Sequence, residues 1–215
     1  PACNDKPQPS ADAAAVSVEL SPVPKPANLA ATLTVGKPGE TWAKLRETGG
    51  GPARLLPQSF GLLVSTFLGL PAAAADAIDA DVALTGAALS DDKGNLEIAI
   101  AIHVRSGRDL VTRLSAGGDA IYSAREDSAS GITLLEAKPG KAPTGVALGV
   151  LGNYLLAGRE ASALTQAGPY AARTLPKQPA PQVPVLVSLE KRALSGPVAQ
   201  AIREAWKGKQ AELSK

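Results

Sequence analysis

The sequence predicts an α+β fold, a mainly antiparallel sheet with helices packed on one face. Three observations carry this. Two apolar runs, residues 82–89 and 96–104, are joined by the polar turn Ser90-Asp-Asp-Lys-Gly94, a hairpin signal. The second run alternates Leu96, Ile98, Ile100, Ile102 and Val104 with Glu97, Ala99, Ala101, His103 and Arg105, so one face is large and apolar and the other small or polar. Further short apolar runs near 119–124, 131–136 and 145–150 are separated by Asp/Ser/Gly and Lys-Pro-Gly turns.

Taken in order, residues 1–27 carry six prolines among Ala, Ser and Asp, and read as an extended, solvated tether with at most a short strand at 16–20. The α+β domain spans 28–182. A strand at 29–35 leads through Gly36-Lys-Pro-Gly39 into a short helix bearing Trp42, Leu45 and Arg46. Residues 57–79 read as one or two helices, interrupted at Gly69-Leu70-Pro71. After the hairpin, Ser106 caps a helix with Asp109 at its third position and Leu110, Val111 and Leu114 on its buried side. A return strand at 153–158 follows a turn at Gly152-Asn153, and a helix at 160–172 precedes a second linker, 174–182. Residues 184–189 form a strand, and Ser195-Gly-Pro197 starts a helix with Val198, Ile202, Ala205 and Trp206 on one stripe. This unit echoes 29–47, so 183–215 is either the closing β-α unit or the start of a truncated second module.

Composition narrows the function. The 22 Lys+Arg and 20 Asp+Glu are interspersed without a run of five like charges, so the footprint of a nucleic-acid binder is missing. Apolar residues make up 45% but aromatics only 3%, which implies a core of Leu, Val, Ile and Ala. The most apolar segment, Phe60 to Leu70, is flanked by Pro57 and Pro71 and falls short of a membrane span, so it reads as a core helix. Position 1 is not Met, and an upstream segment is expected to have been removed or left out. The lone cysteine, Cys3, has no internal disulfide partner.

Ala2-Cys3 followed by the Pro/Ala/Ser/Asp tether resembles the end of a bacterial lipoprotein signal, which implies lipidation of Cys3 and a membrane anchor. Two segments, Leu70-Pro-Ala-Ala-Ala-Ala-Asp-Ala-Ile-Asp-Ala-Asp-Val82 and Val150-Leu-Gly-Asn-Tyr-Leu-Leu-Ala-Gly158, resemble bacterial envelope proteins built from tandem α+β modules, the DUF3352-like kind. That resemblance covers residues 28–182 and carries over no catalytic residue.

The chemistry-bearing inventory is thin. His103 is the single histidine, so any Ser-His-Asp or Cys-His mechanism would run through it. Its place on the small face of a strand indicates a structural role. A multi-His or Cys/His metal site is excluded, and no cofactor is expected. Asp76, Asp79, Asp81 and the pair Asp91-Asp92 lack the spacing of a calcium loop and read as caps and turns. Gly36-Lys-Pro-Gly-Glu-Thr41 lacks the phosphate-loop pattern, and its proline removes an amide, so it is a turn. Gly49-Gly50-Gly51 is a flexible joint. Ser188-Leu-Glu-Lys191 matches Ser-x-x-Lys, but its serine closes a strand instead of opening a helix.

The candidate binding surface is apolar: Phe60, Leu63, Val64, Phe67 and Leu68. The expectation is a non-enzymatic envelope lipoprotein that binds a protein partner or scaffolds. The alternative is a periplasmic carrier or chaperone for an apolar ligand or lipid, which needs a cavity between the 57–79 helices and the sheet.

Overall fold

The computed structural model describes residues 20–53, 55–91, 93–141, 145–194, 199–200, 203–204, 206–207 and 210. Cys3, Asp92, nearly all of the strand expected at 16–20, and Ser195-Gly-Pro197 with Val198, Ile202 and Ala205 lie outside the described residues.

Strand β1 (Leu29–Val35) turns at Gly36 into α1 (Pro38–Thr48), where Pro38 occupies the first turn and needs no amide partner. The four-residue α2 (Gly50–Ala53) follows. In α3 (Phe60–Leu68), Ser59 caps the start by accepting from Leu62 N at 3.2 Å, and Gly69 ends it in the left-handed region at φ 63°. The second half of the 57–79 stretch is a 3-10 helix, Ala72–Ala77, rather than an α-helix. It starts after Pro71, and at its far end Ile78 is already bridged antiparallel to Val104, so there is no length for an α-helical ladder.

The hairpin closes as β2 (Leu84–Ser90) and β3 (Leu96–His103). Helix α4 (Gly107–Ser115) is capped by Ser106, which accepts from Asp109 N at 3.2 Å. Then come β4 (Tyr122–Asp127), β5 (Ile132–Ala137), β6 (Ala147–Leu151), β7 (Tyr154–Gly158), α5 (Ala161–Arg173) and β8 (Val185–Leu189). The stretch read as a second linker opens with a 3-10 turn, Leu175–Lys177, whose Leu175 is buried. Within the segment read as tether, Leu20 and Val23 lie half-buried on the core, and Val23 exchanges two hydrogen bonds with Thr174 Oγ1, at 2.9 and 2.8 Å.

All eight strands form one sheet in the order β4-β5-β6-β7-β3-β2-β1-β8, and every pair is antiparallel. The class is α+β, as the sequence predicts. The helices, however, divide between the two faces. Ala99 and Ala101 of β3, Leu156 of β7 and Ile132 of β5 meet Leu164, Ala167 and Ala171 of α5 on one face. Ile102, Leu148, Val150 and Leu155 meet Val64 of α3, Ala74 of the 3-10 helix, and Leu110 and Leu114 of α4 on the other.

The reason lies in side-chain size. The small face of β3 looks unattractive to cover, yet α5 presents Ala167 and Ala171 to it and sets Gly168 over Leu156 of the neighbouring β7. A Cβ at Gly168 would stand 2.8 Å from Leu156 Cδ1. Small-on-small packing buries α5 as fully as large side chains would.

Candidate functional site

His103 closes β3 opposite Tyr154 of β7. Its Nδ1 lies 3.2 Å from Asp79 Oδ2, and its ring meets that of Tyr154 edge-on, with centroids 5.2 Å apart. Both the imidazole and the carboxylate are about a quarter exposed, with side-chain exposures of 21% and 28%. Among the described residues, no serine, threonine or cysteine side chain is hydrogen-bonded to the ring. The pair crosses a backbone seam in which Asp79 N donates to His103 O at 2.9 Å and Arg105 N donates to Ala77 O at 2.8 Å. Chemically the arrangement ties the end of the 3-10 helix to the sheet. The Tyr154 hydroxyl is held above its ordinary pKa by burial.

Asp76 lies within the 3-10 helix, and Asp91 and Asp79 hold turns. Asp91 accepts from Lys93 N, Asn95 N and Asn95 Nδ2 at the hairpin tip, and those donors hold its carboxyl below the usual range, the Asn95 side chain most of all. Asp79 Oδ1 accepts from Asp81 N at 3.2 Å. Among the described residues, no group of three or more His, Cys, Asp or Glu side chains converges on a metal position, and no helix is long and apolar enough to cross a membrane. Ser188 sits in β8 opposite Thr32, and Lys191 opens the following 3-10 turn.

The five apolar residues expected on α3 differ in burial. Val64 is buried in the core, Phe60, Leu63 and Leu68 are half-buried, and Phe67 is 77% exposed. Three open grooves of about 450, 400 and 440 Å3 are lined by Arg46 and Glu47, by Asp127 and Arg173, and by Arg108 and Glu126, each with small neighbours. No α3 side chain lines any of them.

An open apolar sheet face lies elsewhere, at the β8 end of the sheet. Cross-strand register puts Val185, Val187 and Leu189 of β8 on the same face as Val35, Leu33 and Ala31 of β1, then Leu84, Gly86 and Ala88 of β2, then Ile100 and Ile98 of β3. The core under α3 and α4 reaches Leu84 and Ile100, and Gly86 and Ala88 are buried, but the cover stops short of β8 and the start of β3. Val185, Val187, Leu189, Ile98 and Leu96 are accordingly 47%, 60%, 50%, 46% and 44% exposed.

Five large aliphatic side chains half in water on one sheet face exceed the scattered single residues of an ordinary surface. All five residues of β8 are exposed, with Leu186 on the opposite face. Sequence reading missed this surface. Its one legible signal was the near-unbroken apolar run Val185-Leu-Val-Ser-Leu189, which is the pattern of a strand covered on both faces and here belongs to an edge.

The two sheet edges differ sharply. At β4 the exposed positions include Ser123, Arg125 and Glu126, with Arg125 Nε on Glu136 Oε1 at 2.7 Å. Charged edges of this kind deter pairing with another strand, whereas residues 183–189 carry no charge at all. The chain matches no protein-family model, and neither a curated protein nor a solved structure gives a significant match.

Proposed function

We propose that this domain is a non-enzymatic, protein-binding module of the bacterial envelope, anchored through a lipid on Cys3, and that it docks its partner on the open face of β8, β1, β2 and β3. The observation that carries the reading is the exposed aliphatic row of Val185, Val187, Leu189 and Ile98 beside an uncharged sheet edge. Water against this row is unfavourable by roughly 25 cal/mol for each Å2 of apolar surface, so a partner that covers it gains directly. Backbone groups along the edge supply direction as well as affinity. The carrier alternative draws no support from these three grooves, none of which is lined by the 57–79 helices.

The test is site-specific photo-crosslinking in cells. A photoreactive phenylalanine derivative at Ile98 is expected to give a discrete adduct with an envelope protein, identified by mass spectrometry. The same probe at Glu126, on the charged edge, is expected to give none. Equal adducts at both positions, or none at Ile98, would overturn the reading.

A further inference from the structure

We propose that β8 pairs with β8 of a second copy of this chain, antiparallel and across a two-fold axis at Val187, to form one continuous sheet. This goes beyond the docking reading: it uses the edge of β8 and leaves the adjoining face open to a partner.

The argument starts from the backbone. Gly36 N donates to Pro184 O at 3.0 Å and Glu190 N donates to Ala30 O at 2.9 Å. In an antiparallel ladder the residues that exchange hydrogen bonds with one neighbour alternate with those facing the other way. Residues 184, 186, 188 and 190 therefore address β1. Val185, Val187 and Leu189 aim their N–H and C=O groups away from the sheet.

A two-fold axis at Val187 sets Val187 opposite Val187 of the second copy, and Val185 opposite its Leu189. Only the outward-facing groups are used, and the β1–β8 ladder stays intact. Every one of these residues exchanges both its bonds in that register.

Side chains agree with the backbone. With the axis perpendicular to the sheet, the same face continues from copy to copy, so the two exposed rows of Val185, Val187 and Leu189 merge. Charge agrees too. Glu190 falls opposite Pro184 and Lys191 opposite Val183, so no like charges meet. A heterologous strand needs none of this self-consistency. The β4 edge, with Arg125, Glu126 and Asp127, offers no such register.

A five-residue edge is short against the area of a standard interface, so the dimer is expected to dissociate on the order of micromolar concentrations. Sedimentation of the chain across that range should show a reversible monomer-dimer equilibrium. Val187→Lys puts a charge on each side of the axis and should shift the midpoint at least about tenfold towards monomer, with an unchanged circular dichroism spectrum.

A second variant keeps the test decisive. In a Cys3→Ser background, Val187→Cys should form a disulfide dimer under mild oxidation, because facing Cα atoms of a hydrogen-bonded pair stand about 5.5 Å apart. Ser188→Cys, displaced along both strands, should not.

A chain that stays monomeric at every concentration overturns the proposal. So does a dimer that survives Val187→Lys, or one in which both cysteines cross-link equally. A monomer that still gives a foreign adduct at Ile98 in cells would sink this pairing and leave the docking reading standing. Loss of both sinks both.

Discussion

Thr85 Oγ1 donates to Ala171 O at 2.7 Å, with both residues fully buried between β2 and α5. The last carbonyls of a helix have no partner within it, and Ala171 lies two residues before the end of α5. The buried Thr85 hydroxyl thus satisfies one of the orphan acceptors. Thr85→Val keeps the shape and removes the donor. It should cost about 1–3 kcal/mol in urea unfolding, since a buried carbonyl is left bare. Thr85→Ser, which keeps the hydroxyl, should cost less.

Gly61 shows the sign of a familiar substitution reversing. Glycine to alanine in a helix ordinarily gains about 0.5–1 kcal/mol. A Cβ at Gly61, however, would lie 2.5 Å from the carbonyl oxygen of Ala75, a backbone atom of the 3-10 helix. Relief requires α3 to lift from the core, with Val64 and Leu68 moving away from it. Gly61→Ala should destabilise by about 1–3 kcal/mol and speed amide exchange throughout α3. At Gly51, inside α2 with nothing within 4 Å, the same change should be neutral to stabilising, by up to about 1 kcal/mol.

These two contacts mark where sequence reading stops. Strands with turn punctuation were legible: 29–35 and the 90–94 turn stand where the pattern placed them, and Ser106 caps α4 by the expected amide. What period and propensity describe is local. Which face a helix covers depends on partners distant in sequence, so the docking of α5 against Ala99 and Ala101 was illegible, as was its consequence that both faces are layered. Strand order has the same character. Nothing in Val185-Leu-Val-Ser-Leu189 says whether a neighbour will pair on one side or two. Burial along α3 is of the same kind: Phe60, Leu63, Val64, Phe67 and Leu68 share one stripe in the sequence, and only the position of the sheet decides that Val64 is buried and Phe67 exposed.

Asp127 provides a pH-dependent contribution whose sign follows from its bonds. Its carboxylate accepts from the Ser130 hydroxyl and from Ser130 N, and these donors, the hydroxyl most of all, hold it below the ordinary carboxylate range. A group depressed in the folded state stabilises fully above its unfolded pKa of about 3.9, and the contribution fades as pH falls through the folded value. NMR titration of the Asp127 carboxyl should therefore give a midpoint below about 3.9. Ser130→Ala should move that midpoint upward and make the β4–β5 turn lose order at a higher pH on acidification. No change in the midpoint would mean that the hydroxyl is not the cause.

Lipidation at Cys3 has a mass signature that no folding argument can imitate. Intact-mass measurement of chain isolated from bacterial membranes should show acyl chains added at Cys3, each buried methylene contributing about 0.8 kcal/mol to retention. Cys3→Ala should move the protein from the membrane fraction to the soluble one with its thermal midpoint unchanged. Unmodified Cys3 in membrane-free material would end the anchor proposal while leaving the docking face untouched.

The His103–Asp79 pair separates a structural reading from a chemical one. If it is a tie, its removal acts through the seam that it crosses, in which Asp79 and Arg105 amides bond to His103 and Ala77 carbonyls. Asp79→Asn keeps one oxygen to accept from the Asp81 amide and turns an NH2 donor to the imidazole, whose neutral ring can accept it through Nδ1, and should cost less than about 0.5 kcal/mol. Asp79→Ala deletes both contacts and should cost about 1–2 kcal/mol, the scale of two partly exposed hydrogen bonds. Exchange of the Asp79 and Arg105 amides should then accelerate ahead of global unfolding, because the 3-10 helix is released from the end of β3. Photo-adducts at Ile98 should be unaffected in both variants, since the seam lies at the helix-covered end of the sheet and the docking face at the other. Were Asp79→Asn to abolish those adducts without loss of stability, the carboxylate would have a role in binding that packing does not supply.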